Sequence, residues 1–380
     1  MIVIMEAGIQ SGDVRVKAVV AKAQSLGLKP EITSTEGTQY GITQVLLKDG
    51  GVRSASLSEH FFQPLDGVGS VQRVTPPSVS LAYHKGNGSY HRIKLGNNSS
   101  IATGSPCLLI AGPCTVDSHI DAVVERLAAL GIKRIRGGCW KPRSKPEAFP
   151  GFGQMAVYWL LAAALKHKID TVFLEVIESS HIEIVRRVKD NVGYKGTIVL
   201  WVGARTSNPI LLLALGAQTE FPVMIKNGLD DKCIDDVAAR AEWVLGRKSV
   251  WNDDGTLNEA ESLTPGNNQV IICLRGTRQT DSRSLYRFIP NHHWTRIIHR
   301  EWWSPVCIDT SHSAGEESLV LENTQDALRF NPSLVMVEGG YEGGYRGLCD
   351  MAQSVSVGNM GKIIEMVSDH NEKVHNTRIF

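Results

Sequence analysis

The sequence predicts an eightfold β/α barrel preceded by a small α+β module, and three observations carry that prediction. From residue 105 onward, short apolar runs alternate with helical stretches, about eight units in roughly 270 residues, which is the size and rhythm of a TIM barrel. The runs are apolar without alternation, as parallel strands buried on both faces must be. No glycine-rich dinucleotide fingerprint follows the first run, which counts against a doubly wound open sheet.

The elements follow in order. Residues 1–75 read as a separate ferredoxin-like domain of β-α-β-β-α-β order. Its strands are Ile2–Met5, Pro30–Thr35, Gly41–Leu47 and Val68–Val74, and its helices are Asp13–Leu26 and a short one near Leu57–Phe62. Val16, Val19, Val20 and Ala23 fall on one face of the first helix, and Gly27 ends it. Residues 76–104 are a linker and hairpin, the linker marked by Thr75-Pro76-Pro77-Ser78. Residues 105–380 form the barrel. Its strands are Leu108–Ala111, Ile132–Arg136, Thr171–Val176, Thr197–Val202, Pro222–Lys226, Val270–Leu274, Pro305–Asp309 and Ser333–Glu338. Its helices are Ile120–Leu130, Gln154–His167, Ser180–Val188, Pro209–Leu215, Ile234–Leu245, Leu321–Phe330 and a last one near Lys362–Asp369. The sixth crossover, Asp281–Trp303, is the poorest helix, and residues 248–268 read as a polar surface insertion.

Composition narrows the function classes. The chain has 40 basic and 39 acidic residues among 380, a net charge of +1, so bulk electrostatics favours neither nucleic acid nor an acidic membrane. Seven cysteines without a CxxC pair argue against a disulfide framework and point to a reduced, cytoplasmic setting. The amino terminus lacks a signal-peptide pattern, and no window approaches the roughly 18 apolar residues of a membrane span.

The chemistry gathers at one end of the predicted barrel. Leu108-Leu109-Ile110-Ala111 stops at Gly112-Pro113, so Cys114 stands at the carboxyl end of the first strand, where barrels do their chemistry. Asp309 and His312 follow the seventh strand, Glu338 ends the eighth, and Asp350 lies in the loop beyond. Taken singly, the ordinary reading comes first: Cys114 as a core thiol, His312 as a satisfied polar residue, and the two carboxylates as helix caps. Together they suit a divalent first-row metal: Mn, Fe, Co or Zn. Arg136, Lys141, Arg143, Arg205, Lys226 and Arg275 also stand at strand ends. Cations crowded into one mouth repel one another, so they imply anionic ligands, carboxylate or phosphate.

A family resemblance rests on an ordered series of motifs. These are Ala111-Gly112-Pro113-Cys114, Arg136-Gly137-Gly138, Lys141-Pro142-Arg143-Ser144, Gly203-Ala204-Arg205-Thr206, Lys226-Asn227-Gly228, Arg275-Gly276, Ser311-His312-Ser313 and Leu348-Cys349-Asp350-Met351-Ala352-Gln353-Ser354. The chain resembles, over nearly its whole length, the type I 3-deoxy-D-arabino-heptulosonate 7-phosphate (DAHP) synthases. It is most similar to the subgroup carrying an amino-terminal ferredoxin-like domain. The resemblance implies a metal-dependent condensation of phosphoenolpyruvate with erythrose 4-phosphate, the first step of the shikimate pathway. It implies Cys114, His312, Glu338 and Asp350 as metal ligands. Arg136, Lys141, Arg205, Lys226 and Arg275 would hold phosphoenolpyruvate, and Arg143 with Ser144 the aldose phosphate. Lys141, Cys114, His312 and Asp309 form the candidate catalytic set. An aromatic amino acid effector and a homo-oligomer, tetramer or dimer, are further implications.

Several positions depart from the family pattern. Thr310 replaces the proline of Asp-Pro-Ser-His, Lys145 stands where a hydroxyl is usual, Leu274 replaces a glutamate before Arg-Gly, and Gly339–Tyr345 replaces a His-Pro-containing loop. The octulosonate 8-phosphate synthases share the fold but carry Asn-Arg-Ser where this chain has Lys141-Pro142-Arg143-Ser144. Two alternatives stand beside the DAHP synthase reading: a sister synthase acting on another aldose phosphate, and a non-catalytic regulatory relative.

Overall fold

The computed structural model describes residues 1–48, 57–73, 92–96, 99–143, 146–246, 248–279, 281, 283–342 and 348–377. Strand β1 (Ile2–Met5) leads to helix α1 (Val14–Ser25), started by Asp13, whose side chain accepts from Arg15 N at 2.9 Å. Strands β2 (Lys29–Glu36), β3 (Gly41–Lys48) and β4 (Val68–Gln72) complete an antiparallel sheet of order β2-β3-β1-β4. Val3, Met5, Val45 and Leu47 bury against Val16, Val19 and Ala23 of α1, giving this part its own core. The helix expected near Leu57–Phe62 is a single 3-10 turn, Glu59–Phe61, capped by Ser58. Strand β4 ends at Gln72, and Val74 lies outside the described residues, as do Thr75–Ser78 of the linker. The expected hairpin survives as β5 (Ile93–Lys94) paired antiparallel with β6 (Ser100–Ile101); its residues Tyr90 and His91 are outside the described set.

Eight parallel strands then close a barrel: β7 (Leu108–Gly112), β8 (Arg134–Gly137), β9 (Thr171–Val176), β10 (Thr197–Val202), β11 (Val223–Lys226), β12 (Val270–Leu274), β13 (Val306–Asp309) and β14 (Leu334–Glu338), with β14 pairing back to β7. The connecting helices are α2 (Ile120–Ala129), α3 (Gln154–Lys166), α4 (Ser180–Val192), α5 (Pro209–Gly216), α6 (Ile234–Val244), the short α7 (Glu259–Ser262), α8 (Trp294–Glu301), α9 (Thr310–Ala314), α10 (Glu317–Leu328) and α11 (Val357–Thr377). Alternate strand residues split between two cores. Val172, Leu174, Ile198, Leu200, Val223 and Ile225 pack outward against the helices. Phe173, Val199, Trp201, Met224, Ile271 and Met336 fill the interior, and Ile93, Leu95 and Ile101 of the hairpin join them. The hairpin enters the barrel from its amino-terminal end, where Gly96 N donates to Thr197 Oγ1 at 2.9 Å at the start of β10.

Four helical segments differ from expectation, the first being α4, which runs on to Val192 rather than stopping at Val188. Helix α10 starts at Glu317 rather than Leu321, and it buries two polar residues, Asn323 and Thr324, in its middle. Asn323 is satisfied by donating to Thr310 O at 2.7 Å, and Thr324 Oγ1 lies 2.9 Å from Thr310 Oγ1. Helix α9 has no counterpart among the expected elements; Asp309 caps it by accepting from His312 N at 3.2 Å. Helix α11 is much longer than Lys362–Asp369, since Met360, Ile363 and Val367 pack on the barrel over its first turns.

The 248–268 insertion is a docking element. It connects α6 to β12 at the amino-terminal end of the barrel, and it meets the small domain directly. Lys22 of α1 pairs with Glu259, His60 packs edge-on to Trp251 with centroids 4.9 Å apart, and Leu257 joins the small domain's core.

Candidate active site

The site begins where β7 stops. Gly112 has φ of 151°, and a Cβ there would meet Arg136 O at 2.1 Å, so only glycine lets β7 lie this close to β8. Pro113 then turns the chain, and Cys114 is buried just past the strand end. Gly138 repeats the device: a Cβ would meet Cys114 O at 2.5 Å and Lys141 Nζ at 3.0 Å. That gap lets Lys141 reach back, with Nζ 3.0 Å from Cys114 O and 3.1 Å from Cys114 Sγ.

Four expected ligand residues meet here. One ligand atom each from Cys114, His312, Glu338 and Asp350 lies within 4.8 Å of the others. Asp350 Oδ2 is 3.3 Å from Cys114 Sγ, and His312 Nε2 is 3.5 Å from Glu338 Oε1. His312 Nδ1 is engaged with Asp309 Oδ2 at 2.8 Å, which leaves Nε2 for the cluster. Glu338 is fully buried, and its Oε1 has no hydrogen-bond partner among the described residues, although Arg136 Nη1 stands 2.9 Å away. A buried carboxylate oxygen paired only with a guanidinium charge and facing a thiol, an imidazole and a second carboxylate is the chemistry of a divalent metal site. One sulfur and one nitrogen among four donors suit Mn, Fe, Co or Zn better than the all-oxygen shells of Mg or Ca.

The acids are held charged. Burial would raise the Asp309 carboxyl, but His312 and Lys226 outweigh it and hold it well below the ordinary value. Lys226 Nζ lies 2.6 Å from Asp309 Oδ2. Burial likewise works against Glu338 and Asp350, and both are lowered by His312, with Arg136 acting on the first and Arg287 on the second. The contact with Cys349 and burial push the Cys114 thiol well up, so a bound cation is what would favour its thiolate.

Beside the cluster lies the cationic cage. Arg136, Lys141, Arg143, Arg205, Lys226 and Arg275 line one cleft. Ser144 lies outside the described residues, as do Lys145 and residues 343–347. Three arginine nitrogens in this cleft, Arg136 Nε, Arg143 Nη2 and Arg275 Nη1, are buried without a hydrogen-bond partner among the described residues. Burial pushes Arg275 down to about 10, still far above neutrality. Burial opposes the charge on Lys141 too, but Cys114 and Glu175 overcome it, so the ammonium persists. Desolvated, unpaired guanidinium donors that stay charged are a standing demand for an anion.

Four residues of the site escape a reading of the sequence alone. Trp201, at the inner face of β10, lies between two cations, Arg136 Cζ at 5.0 Å and Lys226 Nζ at 5.1 Å from its ring centroid. Glu175, near the end of β9, places Oε2 3.7 Å from Lys141 Nζ. It is a lone acid inside an apolar run, the same signal that marks Lys226. Arg287 comes from the poorly helical sixth crossover, and Gln353 from a motif in which only Asp350 has an expected role.

Residues 91–376 match the DAHP synthetase I family. The chain belongs to that family. Phospho-2-dehydro-3-deoxyheptonate aldolase of Thermotoga maritima is 27% identical over 344 residues, covering 89% of this chain and 88% of its own length. The crystal structure of the Thermotoga maritima DAHP synthase aligns with 98% of this chain and 97% of its own, with TM-score 0.66 and 24% identity. A truncated form of the Thermotoga maritima enzyme covers 77% of this chain at TM-score 0.59 and 23% identity. The full-length alignment extends over the antiparallel domain as well as the DAHP synthetase I barrel. No helix among the described residues is long and apolar enough to cross a membrane.

Proposed function

We propose that this protein condenses phosphoenolpyruvate with erythrose 4-phosphate to give DAHP and phosphate. The observation that carries the reading is the pairing of unpaired, buried guanidinium donors with a four-donor metal cluster in one barrel mouth. Arg136, Lys141, Arg205, Lys226 and Arg275 hold the carboxylate and phosphate of phosphoenolpyruvate, with Trp201 as the floor between two of them. Arg143 and Ser144 hold the phosphate of the aldose. Cys114, His312, Glu338 and Asp350 hold the metal, and Asp309 fixes the His312 tautomer. A divalent ion at that place supplies Lewis acidity toward the aldehyde oxygen. The cage cations keep the phosphoenolpyruvate in place while its enol carbon attacks the aldehyde carbon, and they offset the charge of the departing phosphate after water adds at the second carbon. Lys141 acts as an ammonium donor in this scheme, since its neighbours keep it protonated.

The deciding measurement is phosphate release with phosphoenolpyruvate and a panel of aldose phosphates. Turnover with erythrose 4-phosphate is expected. Turnover with a different aldose phosphate alone would make the protein a sister synthase, and none at all would favour the non-catalytic relative. Within the same assay, Arg143→Ala should raise the KM for the aldose phosphate far more than that for phosphoenolpyruvate. If only phosphoenolpyruvate binding suffers, the placement of the aldose phosphate at Arg143 is wrong.

Around this centre, residues 1–75 are a regulatory domain of the ferredoxin-like subgroup, 76–104 its linker and hairpin, and 105–380 the catalytic unit. Tyrosine or phenylalanine binds the regulatory domain and feedback-inhibits a homo-oligomer, dimer or tetramer. The separate core of the small domain supports this, and so does its docking on the 248–268 insertion. That docking lies at the end of the barrel opposite the mouth, so the small domain does not sit as a lid over its own chain's site. A chain starting at residue 79 should stay active and lose inhibition. A full-length enzyme indifferent to all three aromatic amino acids at millimolar levels would end the regulatory reading. The location is cytoplasmic, because Cys114 must stay reduced to serve as a ligand.

A further inference from the structure

Two residues beside the metal cluster are joined in a way the reaction scheme leaves unused. Arg287 Nη1 donates to Asp350 Oδ1 at 2.9 Å and to Gln353 Oε1 at 3.1 Å. Gln353 is buried, and its other end, Nε2, donates to Glu338 Oε2. Each carboxylate therefore gives one oxygen to this chain of bonds and turns the other to the cluster: Asp350 Oδ2 toward Cys114 Sγ at 3.3 Å, and Glu338 Oε1 toward His312 Nε2 at 3.5 Å. The backbone around Arg287 is also fastened to the helix that carries His312. Arg287 N donates to Ala314 O at 3.2 Å, and Phe288 N to Ser313 O at 3.1 Å. One arginine thus touches the supports of three of the four ligand residues.

We infer that Arg287, acting with Gln353, is a positioning residue that presents the Asp350 and Glu338 carboxylates to the divalent cation and so sets metal affinity. This inference rests on the metal reading proposed above. Two neighbouring carboxylates repel, and without a shared donor they would rotate apart in the absence of metal. Asp350 needs such a donor most, because its backbone sits at φ 51°, a left-handed conformation that does not by itself fix where the side chain points. Gln353 suits this place because a neutral amide accepts from Arg287 and donates to Glu338 at once, with no added charge. Gly315 leaves room for the arginine stem, since a Cβ there would meet Arg287 Cβ at 2.5 Å.

The opposing view treats Arg287 as a point charge. A cation this near a divalent ion repels it, so its removal would tighten metal binding. Positioning predicts the reverse sign, and that sign is measurable on metal-free protein titrated with Co²⁺ and followed by its absorption bands. Arg287→Ala should bind Co²⁺ about 10–100-fold more weakly, the usual loss for a residue that orients a ligand. Its bands should change shape as Asp350 moves, and Arg287→Lys, still a donor, should recover most of the affinity. Gln353→Met should weaken binding similarly, and the double variant should lose less than the sum, because the two act through one chain of bonds. Arg287 lines the same cleft as the cage, so phosphoenolpyruvate affinity should fall as well, but by less than Co²⁺ affinity does. Equal or tighter Co²⁺ binding by Arg287→Ala, full additivity, or a matching loss of phosphoenolpyruvate affinity would each overturn the inference. A wild-type protein that binds no Co²⁺ would instead remove the metal reading beneath it.

Discussion

Cys114→Ala should yield a folded protein that binds phosphoenolpyruvate but no longer retains a divalent metal. The sulfur is one of four converging donors, and the only soft one among them. Its loss should weaken metal binding by more than the roughly 10–100-fold seen when a merely orienting partner is removed. The cost in stability should be small, about 1 kcal/mol, because a buried side chain loses a single heavy atom. Elemental analysis after equilibration with Co²⁺ and dialysis is the direct check, with activity falling in parallel. Treating the wild type with a chelator should reproduce the loss, and Mn²⁺, Co²⁺ or Fe²⁺ should reverse it. A Cys114→Ala enzyme that holds stoichiometric Co²⁺ with an unchanged spectrum would exclude Cys114 as a ligand.

The second large effect is expected at Asp309. Its carboxylate is fully buried and joins Lys226 Nζ at 2.6 Å to His312 Nδ1 at 2.8 Å. Asp309→Ala leaves the Lys226 ammonium buried without its counter-charge, a change that costs about 3–5 kcal/mol. It also frees the His312 ring, so metal affinity should fall with stability. Denaturant unfolding of the metal-free protein separates the two effects. The pH dependence has a fixed sign. Asp309 is held below its ordinary value of 3.8 in the folded state, so its contribution is complete above that value and disappears as acid lowers the pH toward its folded value. Asp309→Asn should therefore flatten the acid limb of the stability profile. An unchanged acid limb with unchanged metal affinity would show that the Lys226–Asp309–His312 chain holds nothing in place.

Much of the barrel is legible in the sequence because buried parallel strands leave a direct trace. Leu108-Leu109-Ile110-Ala111 and Val223-Met224-Ile225 are apolar on both faces, since one face meets helices and the other fills the interior. Cys114, Lys226, Asp309 and Glu338 are legible for the complementary reason, being reactive groups set at the ends of such runs. Glu175 meets the same criterion inside Thr171–Val176, yet nothing in its spacing tells it from a strand-end acid without a role. The burial of Asn323 and Thr324 within helix α10 is hidden because side-chain bonds to Thr310 hold them there, which no apolar period can register. Trp201 and Gln353 lie deeper still. An indole between two cations and an amide bridging an arginine to a carboxylate exist only once distant strands are side by side. The one-sided burial of the small domain's sheet is not legible in β3, where buried Thr43 is polar and Ile42 and Leu46 on the other face are apolar. Nor is its docking on Trp251 and Glu259, because that contact joins two stretches that are each polar and give no signal alone.

The hairpin that fills the lower interior has a kinetic consequence. With Ile93, Leu95 and Ile101 stopping one end, the barrel is a one-ended vessel, and everything that enters must leave by the same opening. Arg136, Lys226 and Arg275 are buried within it, while Arg143 is only half-buried nearer the opening. On the proposed placement of the two substrates, the guest of the deep set would be seated before the guest of the rim, which would then block its retreat. Traffic through such a vessel would run as in a stack: first in, last out, with the deep guest barred from leaving until the rim has cleared.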